Sequence, residues 1–286
     1  MHLTRRQFAV LACALTVPAG RSAAASDDNA VFWQANLADR SIAIFGYERI
    51  SAAMASDIVR DGERISDQAT SVYTDIGPNA PHLKYSTNIK QIPPVLSDLA
   101  PTDADDLRHI MPAVAGSSVD RLPGYVVALL LMGEGQHPWA PTVEGVIMDH
   151  VRFTGKQISP LISDEDLMSI WSPPDTFTLK AVGAHQISYL LEKRRQLGPI
   201  GGYMETLYRQ RRVSEITQLR EEIAKEGVVS PLGSLAGPQF KALLLKQVLK
   251  IESTKNFLLL PLAVLLGNDG ILELMKSNGF QITALA

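Results

Sequence analysis

Short β-rich apolar runs near both ends of the chain, with helical sequence between them, constrain its fold more than any other feature. Ser41-Ile42-Ala43-Ile44-Phe45-Gly46 is an apolar run closed by glycine, as a buried strand should be. Residues 71–77 form a second such run, stopped by Gly77-Pro78-Asn79, and residues 157–162 suit a third. The chain closes with strand-like residues 257–262, a glycine turn, a helix over 270–278 and a last strand over 280–285. Between these lie helical segments at 50–59, 118–133 and 143–154, the last ended by Gly155-Lys156, and most of 174–256 is helical. Residues 78–101 hold several prolines and no clear period, which suits a loop with a short helix. Core-facing stripes recur as Ile216, Leu219, Ile223 and Ala224, and as Leu243, Leu244, Leu245, Val248, Leu249 and Ile251. Strands at both ends predict an α/β fold: a single mixed domain, its central sheet holding the N- and C-terminal strands, with a largely helical middle. The expected strands lie near residues 41, 72, 157, 257 and 280.

The first residues carry a different signal. Thr4-Arg5-Arg6-Gln7-Phe8 precedes an apolar run to Pro18, and small residues crowd at Ser22-Ala23-Ala24-Ala25-Ser26. A basic head, a short apolar stretch and an Ala-x-Ala site predict a removable signal peptide over residues 1–25, of the twin-arginine type. The expected location is periplasmic or secreted, with one domain over 26–286. The apolar run is too short for the roughly 20 residues that span a bilayer, so no retained membrane span is expected. Cys13, the only cysteine, lies within this segment, so no disulfide or thiolate site is expected in the mature chain. Loss of Arg5, Arg6 and Arg21, with no acid among residues 1–25, takes the net charge from −3 to −6. An acidic chain without a long basic block argues against nucleic acid as a partner.

Few side chains stand out as chemistry. His82, His109, His137, His150 and His185 form no His-x-x-x-His pair, and Glu134-x-x-His137 has no second histidine nearby. Asp103, Asp105 and Asp106 lack the glycine and terminal glutamate of a calcium loop and suit a helix start. No Gly-x-Ser-x-Gly elbow is present. The cluster Gly198-Pro199-Ile200-Gly201-Gly202 follows a helix, so it suits a helix terminator better than a phosphate cradle. Lys193-Arg194-Arg195 and Arg209-x-Arg211-Arg212 suit a solvated helix face.

The run Leu266-Gly267-Asn268-Asp269-Gly270 through Ser277-Asn278-Gly279-Phe280-Gln281-Ile282 resembles the close of the TraB/GumN family, as a glycine turn, Leu-rich helix and last strand. Ile44-Phe45-Gly46-Tyr47-Glu48-Arg49 is similar to its first strand and Gly-x-x-His loop, and Leu122-Pro123-Gly124-Tyr125 to its central helix. Val143-Glu144 through Gly155-Lys156, with the following strand, completes an ordered set across nearly the whole mature chain. The resemblance implies a metal-dependent peptidase or hydrolase fold. At the implied functional positions this chain departs from the pattern: Arg49 stands for the first histidine, Thr74 and Asp75 for a glutamate, Leu161-Ile162 for Leu-Glu, and Ala263-Val264 for the second histidine position. Lys246-Gln247 is the nearest counterpart of an Arg-Asn pair.

A catalytic divalent metal needs about three His, Asp or Glu ligands and an open position. Arg49 has only donors, and Ile162 and Val264 offer no lone pair. The resemblance with these departures implies a degenerate, non-metal-binding member acting as a binding or accessory protein, without a cofactor. Its cleft is lined by Gly46, Glu48, Arg49, Thr74 and Asp75, with Arg49 suited to a small anionic ligand or a peptide. The alternative is a metal-dependent hydrolase rebuilt around Glu48, Asp75 and a displaced histidine, His150 or His185; Glu48 and Asp75 are then the catalytic candidates.

Overall fold

The computed structural model describes residues 29–77, 92–115, 119–136, 140–170, 181–228, 237–252 and 254–285. The signal segment, His82 and His137 lie outside them. Six strands form one sheet: β1 (Phe32–Leu37), β2 (Arg40–Tyr47), β3 (Ser71–Ile76), β4 (Ile158–Ile162), β5 (Lys255–Pro261) and β6 (Gln281–Leu285), in the spatial order β4-β3-β5-β2-β1-β6. β4, β3, β5 and β2 run parallel, and β1 lies antiparallel between β2 and β6. The expected strands are present, and the N- and C-terminal ones meet in one sheet. β1 is an addition to the five expected. It joins β2 through Ala38-Asp39, a two-residue turn with Ala38 at φ 52°. Such turns usually take Asn-Gly or Gly, so the hairpin lacks its usual sequence mark.

The helices are α1 (Ser56–Gln68), α2 (Pro101–Ala115), α3 (Gly124–Gly133), α4 (Val143–Phe153), α5 (Asp164–Ile170), α6 (Ala184–Leu197), α7 (Ile200–Arg209), α8 (Val213–Lys225), α9 (Pro238–Val248), α10 (Leu262–Leu265) and α11 (Ile271–Ser277). The helix expected over 50–59 begins instead at Ser56. Residues 50–52 pair with the entry to α4, through Val143 N–H to Ile50 O at 3.1 Å and Ala52 N–H to Pro141 O at 2.8 Å. Gly198, at φ 80°, ends α6, as expected of the glycine cluster.

Register divides the sheet into two faces. Phe32, Phe45, Phe257 and Leu259 share the face beneath α1, where Gly62 lets that helix pack closely against Ile147 of α4. Trp33, Ile44, Leu258 and Leu260 share the other face, with Gly46 against Leu262 and Leu265 of α10. Strand residues buried on both faces explain why β5 reads as a continuous apolar run.

The basic run expected to be solvated instead ties helices together. Lys193 bonds Glu222 at 2.8 Å, and Arg194 grips Glu134 through two bonds at 2.6 and 2.7 Å. Arg195 bonds both Asp103 and Asp106, and Arg211 bonds Asp61 at 2.8 Å. These cations fall opposite acids of neighbouring helices, which sequence adjacency does not reveal. Among the described residues, no helix is long and apolar enough to cross a membrane.

Candidate functional site

The parallel strands β2, β5, β3 and β4 all end on one edge, where open α/β sheets bind ligands. Gly46 sets the geometry there. A Cβ at this position would come within 2.7 Å of both Leu262 Cδ2 and Trp33 Cζ3, so only glycine lets β2 pass between them. Its carbonyl accepts a 2.8 Å hydrogen bond from the buried Tyr208 hydroxyl of α7. That bond fixes where the chain turns into Tyr47, Glu48 and Arg49.

Glu48 is buried and forms an ion pair with Arg220 of α8. A carboxylate held away from water needs such a partner. Its oxygens therefore serve the link between β2 and α8, and Glu48 does not line the cleft as expected. Arg49 is exposed, with no ion-pair partner among the described residues. Thr142 caps α4 by accepting from Gly145 N–H at 3.3 Å, which places Glu144 in the first turn. Glu144 Oε2 is shut off from solvent and has no hydrogen-bond partner among the described residues. Burial raises the Glu144 pKa, opposed by its own backbone amide, Thr142 and the charge of Arg49.

Asp75 ends β3 and is buried. Desolvation lifts its pKa from 3.8 to about 6, although its carboxylate accepts bonds from the backbone amides of Ile76 and Asp75 itself. The Tyr47 hydroxyl is pushed well upward, first by burial and then by Asp75, Glu144 and Glu48. Thr74 donates its hydroxyl to Ile76 O at 2.9 Å, so it serves the strand end.

Tyr47, Thr74, Asp75, Met148, Arg152 and Gln157 are among the residues lining a cavity of about 460 Å³ between the strand ends and α4. Met148 and Arg152 follow Glu144 at four-residue steps, so one stripe of α4 runs along this side. Of the expected ligand-binding set, Thr74 and Asp75 line the cavity itself. Gly46 is packed behind it, Glu48 faces Arg220, and Arg49 sits out in solvent. A desolvated carboxyl beside a tyrosine in a cleft can accept or donate a proton near pH 6.

The remaining expected positions fall elsewhere. Ile162 and Val264 are core residues. His150 lies against Asp67 at 2.9 Å and Glu63 at 3.9 Å, and His185 against Glu226 at 3.2 Å. Both histidines thus pair with surface acids of other elements. The residues implied for a metal do not fit one: Arg49 is a cation, Ile162 and Val264 are apolar, and Glu48 is already paired. Among the described residues no three His, Cys, Asp or Glu side chains gather as a metal site. Sequence reasoning missed Tyr47, Glu144, Tyr208 and Arg220; the only trace was the Thr-x-x-Gly cap ahead of α4. Neither a family model nor a curated protein matches this chain.

Proposed function

We propose that the protein is an exported, TraB/GumN-like binding or accessory protein that holds a small anionic ligand or a peptide at the carboxyl edge of its sheet, without a metal. One observation carries this reading: the positions where the resemblance implies metal ligands are a solvent-exposed arginine and two core aliphatics. Arg49, exposed two residues beyond the end of β2, supplies charge, while Met148 and Ile76 supply apolar surface and Asp75 a polar anchor in the cavity. The resemblance and the Thr-Arg-Arg-x-Phe head support the export and family parts of the reading.

The test is elemental analysis of the mature protein purified without chelators, alongside peptide and carboxylate binding to wild type and Arg49→Ala. Metal well below one equivalent and weaker binding by a folded Arg49→Ala protein are expected. Near one zinc, manganese or iron per chain, or binding unchanged by Arg49→Ala, would overturn the reading.

A hydrolase remains the second reading because Asp75, with its pKa near 6, faces a cavity beside Tyr47. His150 and His185 pair elsewhere, so this site would work through Asp75 and Tyr47. A hydrolytic activity abolished by Asp75→Asn would favour it.

A further inference from the structure

A cavity of about 600 Å³ lies at the opposite edge of the sheet from the cleft. Its origin is legible in the strand columns. Near the carboxyl edge, Phe32 and Phe45 stack with centroids 4.8 Å apart and fill the space beneath α1. Two residues along each strand, the same face carries Gln34 and Ala43, and Ser41 follows. Small and polar side chains leave unfilled the room that the phenylalanines occupy, while α1 continues overhead. The floor is Ala43, Ile65 and Leu285, and the walls carry Gln34, Ser41, Arg64, Gln68 and Lys255.

The wall chemistry selects a ligand. Gln34 Nε2 donates to Ser41 Oγ at 2.8 Å, which leaves the Ser41 proton and the Gln34 carbonyl to meet a hydroxyl. Arg64 reaches Asp61 only at 3.6 Å, too long for a hydrogen bond, and Asp61 is held more closely by Arg211 at 2.8 Å. Lys255 has no ion pair among the described residues, and its carbonyl accepts from both the amide and the hydroxyl of Thr70, which anchors this rim. Two weakly engaged cations thus flank a cavity of mixed polar and apolar lining on a chain of net charge −3. Among the described residues no aromatic ring lines it, so none of them stacks on a base or a flat ring. The volume lies within the range of small-molecule sites.

We propose that this trough is a second binding site, independent of the carboxyl-edge cleft, for a small hydroxylated polycarboxylate. Arg64 and Lys255 take two carboxylates, and Gln34, Ser41 and Gln68 read the hydroxyl.

Calorimetric titration of the mature protein with citrate tests this, with tricarballylate (citrate without its hydroxyl) and inorganic phosphate as comparisons. Citrate should bind, with tricarballylate several-fold weaker and phosphate weaker still. Arg64→Gln with Lys255→Gln, both at exposed positions, should weaken citrate about tenfold or more through loss of two charge-assisted contacts. Ala43→Leu should block the floor, while Arg49→Ala at the other edge should remove only citrate held in the cleft and leave the trough's citrate binding in place. Unfolded variants are identified by their melting curves, and the wild-type comparison of the three probes stands without them. No binding of citrate, equal binding of all three probes, citrate affinity unchanged in both the double variant and Ala43→Leu, or loss of all citrate binding in folded Arg49→Ala would overturn the proposal.

Discussion

Asp75→Asn should make this protein more stable at neutral pH and leave it nearly unchanged in acid. The buried Asp75 carboxyl holds its proton up to about pH 6, against an ordinary value of 3.8, chiefly because burial disfavours the charge. The native state therefore binds more protons than the unfolded chain across that interval, and stability falls as pH rises through it. The contribution is fully present below pH 3.8 and lost once the pH passes about 6. At 1.36 kcal/mol per pH unit, the loss comes to about 3 kcal/mol. Asparagine is similar in shape, stays neutral, and keeps an oxygen for the backbone amides of residues 75 and 76. At pH 7.5 the variant should thus gain about 2–3 kcal/mol, which raises Tm by about 4–6 °C for a domain of this size. Thermal melts of both proteins by circular dichroism, from pH 4 to pH 8, measure the difference. The two curves should converge near pH 4 and separate between pH 4 and 6.5. A gap that stays constant with pH, or a variant less stable than wild type at pH 7.5, would refute desolvation as the dominant cause.

Three other substitutions probe the same edge. Arg220→Ala strands the buried Glu48 carboxylate and should cost about 3–5 kcal/mol in urea unfolding, with Glu48→Gln in the same chain recovering a large part. Failure of the second substitution to recover stability would show that Arg220 acts through packing. Gly46→Ala forces a methyl against Trp33 and two leucines, and should lose about 1–3 kcal/mol by the same assay. Tyr208→Phe removes the buried bond to the Gly46 carbonyl and leaves that oxygen unsatisfied, at a cost of about 1–3 kcal/mol.

Much of the fold was legible because its strands are bounded by glycine or proline, or carry unbroken apolar runs. β2 and β5 carry such runs, while β3 and β6 are mixed stretches marked by the adjoining Gly77 and Gly279. β1 escaped because Ala38-Asp39 makes a tight turn without glycine or asparagine. α1 was misplaced because residues 48–54 fold onto the entry of α4, a partner about 90 residues away in sequence. Its own apolar stripe is thin: Ile58 and Ile65 are buried, with Gly62 and Ser66 completing the face. At the site, Gly46 is legible as the close of an apolar run, and Thr74 and Asp75 stand out only through the family resemblance. Glu144, Tyr208 and Arg220 were not, because each arrives on a helix and gains its role only from what it meets there. The same holds for Arg194 and Arg195, whose acids lie roughly 60 and 90 residues upstream.

The pairing of β1 with β6 has a consequence for how this chain is made. Phe32 faces Leu285 and Asn36 faces Gln281, so β1 waits for a strand made about 250 residues later. Until residues 281–285 leave the ribosome, β1 presents a bare row of amide and carbonyl groups beside Trp33 and Ala35. Such an edge invites association with other nascent chains. A chain stalled before residue 281 should therefore be aggregation-prone even with every earlier strand in place.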